Sequence, residues 1–181
     1  MKHLNRFLLI CLWSSGLVWA QENTTEIATG PENANSDRAI KAKALMQSRN
    51  GSQAKGTVEF IQGRDTVHVQ YNIEGLGKKK IYGFHIHEKG DCSAPDAKSA
   101  GGHYLPTGKG GGTSLDSPQK YAGDMPQLKS DSSGRAEGFF SIGNLSVNEK
   151  NGIMGRAVVI HGGPDNPNEP SAPRIACGVI R

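Results

Sequence analysis

The amino-acid sequence predicts an all-β domain, a sandwich or barrel of short strands with two long loops. Glycine is abundant, with 24 residues among 181, and each glycine inside a helix costs about 1 kcal/mol relative to alanine. Short apolar stretches alternate with turn residues at roughly ten-residue spacing, which is typical of sandwiches and barrels. Residues 90–130 and 162–173 are rich in Gly, Pro, Ser or Asp and are therefore predicted to be loops. This pattern excludes a polytopic membrane protein, a coiled coil, a collagen and a helical bundle.

Seven strands follow from the alternation of apolar and polar residues. They are predicted at 39–48, 55–62, 65–74, 81–89, 135–142, 153–161 and 174–180. The clearest is the third, in which Val67, Val69, Tyr71 and Ile73 share one face. His68 lies on the opposite face, so we predict a surface histidine there rather than a metal ligand.

The N-terminal segment predicts export. Residues 1–20 combine the basic residues Lys2 and Arg6 with a short apolar run and a plausible cleavage position after Ala20, as in a signal peptide. A membrane anchor is the alternative, but the apolar run is shorter than the ~20 residues that span a bilayer. Residues 21–38 are polar and aperiodic and predict a flexible arm, so the folded domain is expected over 39–181.

Charge and cysteine content limit the possible partners. Cleavage removes Lys2 and Arg6 from 21 basic residues and none of the 17 acidic ones, which leaves a net charge of +2. With this small charge and no aromatic residues between basic ones, nucleic-acid binding has little support. The cleaved chain keeps Cys92 and Cys177. An oxidising compartment favours a disulfide between them, and two buried free thiols are the alternative.

Histidines mark the candidate site. His85 and His87 alternate along a predicted strand, so both project from one face, roughly 6.6 Å apart at Cα. Phe84 and Ile86 then point into the core. An exposed pair without a metal is the simpler interpretation of two alternating histidines.

Two further histidines favour a metal centre. His103 lies in the first long loop, and His161 ends the strand that precedes the second. A set of imidazole nitrogens suits Cu(II), although zinc is also possible on ligand type alone. No Ser or Cys nucleophile with an oriented base is evident, which favours a redox or carrier metal centre.

Five ordered motifs resemble those of the secreted bacterial copper-zinc superoxide dismutases, from about Lys41 to Arg181. They are GFHIHEKGDC (83–92), SAGGHYLP (99–106), GDMPQL (123–128), VVIHGGPDN (158–166) and RIACGVI (174–180). The resemblance implies an eight-stranded antiparallel Greek-key barrel or flattened sandwich, similar to the immunoglobulin class. It also implies a Cys92–Cys177 disulfide and a periplasmic location, with an extracellular one as the alternative.

The resemblance also implies roles for individual residues. The expected copper ligands are His85, His87, His103 and His161, with His103 bridging copper and zinc. Arg174 matches the arginine that receives the anion, for which a permanently charged guanidinium is suited; a solvated surface charge is the alternative. Asp165 matches an aspartate that links copper-ligand and zinc-ligand histidines through hydrogen bonds, and here it could still orient His85.

The zinc pattern is incomplete. Asp124 matches the zinc-ligating aspartate, but Gly111 and Tyr121 stand where the family has histidines. Apart from the expected copper ligands, the cleaved chain has only His68, so a zinc site with three histidines cannot be built from one chain. A weaker site could be completed by Asp91, Asp116 or Tyr121. The second loop has only twelve residues between His161 and Arg174, which predicts a more open copper and weaker or differently arranged steering of the anion.

These features predict a copper-dependent superoxide dismutase whose substrate is superoxide and whose zinc occupancy is uncertain. An exported copper-binding or carrier module on the same scaffold is the rival hypothesis, but a carrier has no need for Arg174. A third hypothesis is an ordinary copper-zinc enzyme with zinc ligands from a partner subunit. The mature protein is expected to have no membrane span and to be a monomer or homodimer.

Overall fold

Antiparallel β-strands dominate the described part of the chain. The structure is a computed structural model that describes residues 39–105, 123–143, 145–148, 152–166 and 172–181. The predicted signal peptide (1–20) and arm (21–38), together with Gly111, Asp116 and Tyr121, lie outside these ranges. Within them are one 3-10 helical turn, Lys98–Ala100, and nine strands. The strands are β1 (Lys41–Ser48), β2 (Lys55–Gln62), β3 (Val67–Glu74), β4 (Ile81–Tyr82), β5 (Phe84–His87), β6 (Leu128–Lys129), β7 (Ala136–Ile142), β8 (Ala157–His161) and β9 (Arg174–Val179).

The strands form a seven-stranded sheet and a two-stranded sheet. The order in the larger sheet is β5-β8-β9-β1-β2-β3-β7, and β4 pairs with β6 in the smaller one. Every pair is antiparallel. The first three strands are consecutive neighbours, and β9 returns from the end of the chain to lie beside β1, as in a Greek key. The predicted all-β class and the Greek-key barrel are confirmed.

Alternation places the core on one face of the strands. In β1 the buried residues are Ala42, Ala44 and Met46, and in β3 Val67, Val69 and Ile73 are buried. His68 is exposed on the outer face, as predicted, and its Nδ1 lies 2.7 Å from Ser141 Oγ. Full burial of a Val, Ile or Met side chain contributes about 1.5–3 kcal/mol.

Some strand boundaries differ from the predicted ones. The predicted strand 81–89 is interrupted at Gly83 and ends at His87, because β4 joins the small sheet while β5 joins the large one. Residues 153–156 form a turn rather than the start of β8. The two-residue β6 lies within the stretch predicted as loop, since its partner β4 is distant in sequence and leaves no local pattern.

The two cysteines form a disulfide, with their Cα atoms 5.7 Å apart. The prediction of a bridge is confirmed, and the alternative of free thiols is wrong. The bridge ties the loop after β5 to β9 across 85 residues of sequence. Closing such a loop in the unfolded chain contributes roughly 4 to 5 kcal/mol in the chain-entropy model. Among the described residues, no helix has the length and apolar character needed to cross a bilayer.

Candidate metal centre

Four histidines from separate segments meet at one point. One ring nitrogen from each of His85, His87, His103 and His161 lies within 4.8 Å of the others. The first two belong to β5, His161 ends β8, and His103 follows the 3-10 turn. In the described parts of the chain, this is the one group of at least three His, Cys, Asp or Glu side chains close enough to hold a metal ion.

Strand β5 divides its side chains between the core and the cluster, as the sequence predicts. Phe84 and Ile86 are fully buried in the main core, and in the ladder they are opposite Ile160 and Val158 of β8. His85 and His87 lie on the other face. The backbone of His85 bridges to Asp124, and that of His87 bridges to His103, which brings the two loop residues to the strand.

His87 and His161 are oriented by backbone carbonyls. His87 Nδ1 lies 2.9 Å from Gly101 O, and His161 Nδ1 lies 3.0 Å from Ala172 O. A carbonyl oxygen only accepts, so each Nδ1 carries the proton and each neutral ring has a lone pair on Nε2. The two Nε2 atoms are 3.4 Å apart. Two lone pairs directed at each other in this way fit a cation held between them.

The protein keeps these two rings neutral. Burial, together with unfavourable electrostatic interactions with His103, Arg174 and His161, lowers the pKa of His87 to about 2 against the hydrogen bond to Gly101. Burial, together with unfavourable electrostatic interactions with the neighbouring ring of His85, lowers the pKa of His161 to about 4 against the hydrogen bond to Ala172. Both imidazoles are therefore ready to bind a metal at neutral pH without first losing a proton.

His85 presents a nitrogen that has no partner within the protein. Its Nε2 lies 3.1 Å from Asp165 Oδ2, so the proton belongs on Nε2. Its Nδ1 is buried and has no hydrogen-bond partner. A buried polar atom without a partner calls for an explanation, and a bound metal ion provides one. The donor set of imidazole nitrogens, with its bare buried nitrogen, fits a copper ion.

Asp165 is held by neighbours that sequence reasoning did not identify. Its backbone N–H donates to Gln127 Oε1 at 2.9 Å. A Cβ at Gly83 would overlap the Asp165 carboxylate, so glycine is required there for the carboxylate to reach His85. Burial opposes ionisation of Asp165, but the hydrogen bond from His85 outweighs it and lowers the pKa.

His103 is paired with the expected zinc-site aspartate. Its Nδ1 lies 3.1 Å from Asp124 Oδ1, and both side chains are about one-quarter exposed (25% and 26%). The rings of His103 and His85 are stacked with centroids 3.9 Å apart. Asp91, a candidate for a weaker zinc site, is exposed and accepts a hydrogen bond from the Ser93 N–H.

Arg174 begins β9 beside the cluster, opposite His161 in the β8–β9 ladder. Its Nη1 donates to Ala97 O at 2.7 Å and its Nη2 donates to Gly101 O at 2.8 Å. Burial lowers the pKa of the guanidinium, while Asp96 opposes this shift. An arginine in a protein stays protonated.

Gly101 links His87 of the histidine cluster to Arg174. Its carbonyl oxygen accepts from both His87 and Arg174, and its φ of 76° favours glycine. The Gly-Gly pair before His103 was the only sequence signal for this position, and it gave no indication of a shared acceptor.

The fold and the site define an antiparallel β-barrel protein with a cluster of imidazole nitrogens that can hold a metal ion. Residues 54–180 match the family model described as copper/zinc superoxide dismutase. The chain is 38% identical over 151 residues to copper-zinc superoxide dismutase 2 of Aquifex aeolicus (strain VF5), covering 78% of this chain and 87% of the relative. It is 38% identical over 153 residues to the copper-zinc superoxide dismutase of Yarrowia lipolytica (strain CLIB 122 / E 150), covering 78% and 97%. The chain therefore belongs to the copper/zinc superoxide dismutase family.

Proposed function

We propose that the protein is a copper-dependent superoxide dismutase that converts two superoxide ions and two protons into dioxygen and hydrogen peroxide. The observation that carries this proposal is the four-histidine cluster, in which the hydrogen bonds of three rings leave lone pairs directed inward. Copper would be held by His85 Nδ1, by Nε2 of His87 and of His161, and by His103. When bound, copper supplies a one-electron couple that oxidises one superoxide and reduces the next.

In this proposal, Arg174 receives the substrate. A guanidinium offers five N–H donors, and two hydrogen bonds to backbone carbonyls hold it beside the histidines. Its permanent charge attracts and orients a small anion. The same arginine argues against the rival carrier function, since copper transfer needs no anion site.

We also propose that His103 and Asp124 hold and move a proton. Asp124 accepts from His103 Nδ1 and orients the ring, a task that zinc performs when the family's zinc site is filled. The second nitrogen of the His103 ring, Nε2, would then face the other copper ligands. From this position His103 can return a proton to the reduced substrate. The chain works without a complete zinc site in this proposal, because its sequence has six histidines, of which only His3 and His68 lie outside the cluster.

Replacing His103 by alanine tests this role. The His103→Ala protein loaded with copper is expected to lose about 100-fold in superoxide turnover, the scale of a positioned proton donor. His68→Ala removes an exposed histidine from the outer face and is the matched control, for which we expect unchanged turnover. Stopped-flow decay of superoxide measures both, and a His103→Ala rate equal to the native one would overturn the assignment.

The decisive experiment uses copper alone. Mature protein is loaded with copper, shown to lack zinc by elemental analysis, and mixed with superoxide at several pH values and ionic strengths. Rate constants near the diffusional ceiling of about 10⁸–10⁹ M⁻¹s⁻¹ are expected. Negligible decay that zinc restores would indicate a zinc site completed elsewhere, including by a partner subunit. Tight copper binding without superoxide decay, whether or not zinc is added, would favour the carrier function.

Export is part of the same proposal. Residues 1–20 would direct the chain to the periplasm, or to the extracellular space, where the disulfide persists. N-terminal sequencing of the exported protein is expected to begin at Gln21, ahead of an arm over 21–38. The domain over 39–181 would act as a monomer or homodimer, which sedimentation would distinguish.

A further inference from the structure

The turn between β1 and β2 lies against the segment that carries Arg174. The turn closes with the Ser52 N–H donating to Arg49 O at 3.0 Å. Asn50 and Gly51 have φ angles of 52° and 69°, the left-handed pair that a tight hairpin turn of this type needs. This turn lies outside the five motifs that carry the family resemblance.

One side of the turn holds the loop that supplies the acceptors of Arg174. Both Nε and Nη2 of Arg49 donate to Cys92 O, the former at 3.0 Å. The backbone N–H of Asn50 donates to Pro95 O at 3.0 Å. The same loop continues to Ala97 and Gly101, whose carbonyls accept from the guanidinium.

The other side of the turn holds the start of β9. Asn50 Nδ2 donates to the carbonyl of Arg174 itself at 2.9 Å. The Arg49 N–H donates to Ile175 O at 2.8 Å, and Ser52 Oγ donates to the same oxygen. The turn is therefore hydrogen-bonded both to the backbone of Arg174 and to the loop whose carbonyls accept from the Arg174 side chain.

The disulfide joins the same two segments, since Cys92 belongs to the loop and Cys177 to β9. We propose that Arg49 and Asn50 are positioning residues that hold Arg174 beside the histidine cluster, in parallel with the disulfide. This inference rests on the proposed function of Arg174. The two connections act side by side: when either one is lost, Arg174 stays near its place but the segments around it become more mobile, and when both are lost Arg174 moves.

The test measures anion binding at copper rather than turnover. Azide ligates Cu(II) and gives a charge-transfer absorption, so its dissociation constant reports how well Arg174 receives a small anion. Four copper-loaded proteins are compared: native, Asn50→Gly, Cys92→Ala/Cys177→Ala, and the triple variant. Glycine tolerates the positive φ of position 50 and removes only the side-chain donor.

A matched control corrects for backbone effects. Lys79→Gly places glycine at another exposed residue of positive φ, 53°, in the turn before β4. Titrations are run at about 0.15 M ionic strength, where a Debye length of ~8 Å screens the charge that this control removes. Its azide affinity is expected to equal the native value.

Non-additive loss is the expected result. Asn50→Gly and the cysteine double variant should each weaken azide binding no more than about 1.5-fold, and the triple variant about tenfold or more, a loss on the scale of one hydrogen bond. If the triple variant shows only the product of the two single effects, or if Asn50→Gly has no effect in either background, the parallel hold is wrong.

Hydrogen exchange keeps the inference testable if the triple variant does not fold. In the disulfide-bonded, metal-free Asn50→Gly protein, the amides of the loop from Ala97 to Gly101 are expected to exchange faster than in native protein or Lys79→Gly. Equal exchange would overturn the proposal. Because neither readout requires dismutation, a native protein that binds azide as expected but leaves superoxide intact would refute only the proposed enzymatic function.

Discussion

At the scale of single residues, each ring of the metal centre is oriented by the partner of its outward nitrogen. For His87 and His161 the partner is a backbone carbonyl, which sets which nitrogen carries the proton. For His85 the partner is the carboxylate of Asp165, whose side chain is 41% exposed. A charged, exposed partner is easier to displace than a backbone carbonyl, so His85 is the proposed ligand that is most sensitive to a neighbouring substitution.

Substitution of Asp165 tests this sensitivity. We expect Asp165→Ala to weaken copper binding about 10- to 100-fold, the usual effect of losing the partner of a ligating histidine. Asp165→Asn keeps an oxygen acceptor for His85 and is expected to fall between the native and alanine proteins. Competition with a copper chelator measures the affinity, and the Cu(II) electron paramagnetic resonance spectrum reports the ligand geometry. An alanine variant with native affinity would show that His85 needs no external orientation.

At the scale of elements, β5 serves both the core and the metal centre. Its alternation made the two faces predictable, because four successive residues of type apolar-His-apolar-His can satisfy both environments only as a strand. Its end points were not predictable in the same way. The break at Gly83 follows from the pairing of β4 and β5 with two different sheets, which leaves no mark on the local sequence.

Shortening a core-facing side chain of β5 should disturb both the packing of the core and the metal centre. Ile86 is fully buried between the two histidines in sequence, so we expect Ile86→Ala to lower the free energy of unfolding by about 2–5 kcal/mol. Leu45→Ala on the outer face of β1, where Leu45 is 63% exposed, is the control and should change stability by less than about 0.5 kcal/mol. Urea titrations of the metal-free proteins give both values. If Ile86→Ala lowers the free energy of unfolding no more than the control does, Ile86 does not contribute to the stability of the core.

At the scale of the whole molecule, the metal-free protein should lose stability in mild acid. The unfolded chain takes up protons at His87 and His161 near the ordinary histidine pKa of about 6.5, whereas the folded chain does so only near 2 and 4. Between these limits the unfolded state binds more protons, so the free energy of unfolding falls as pH falls and is unaffected by these groups above about pH 7.

Urea unfolding of the metal-free protein between pH 7.5 and 5 measures this effect. A decrease on the order of 4 kcal/mol is expected from the two histidines together. His87→Gln removes one of the two groups and should show about half of the native decrease when compared with its own stability at pH 7.5. If the free energy of unfolding decreases equally in native and His87→Gln proteins, His87 has the same pKa in the folded and unfolded states.

The sequence by itself determined the β class, the disulfide pair and the histidines that come together. Each of these follows from a local pattern or from a residue type that has few alternatives: strand alternation, two cysteines in a chain predicted to be exported, and histidines next to long loops. Tertiary structure decided what orients them. The carbonyls of Gly101 and Ala172, the amide of Gln127 and the Arg49–Asn50 turn are contributed by residues with no chemical signature of their own. Their roles arise from contacts such as those between Asn50 and Arg174, separated by 124 positions, and only folding brings such groups within hydrogen-bonding distance.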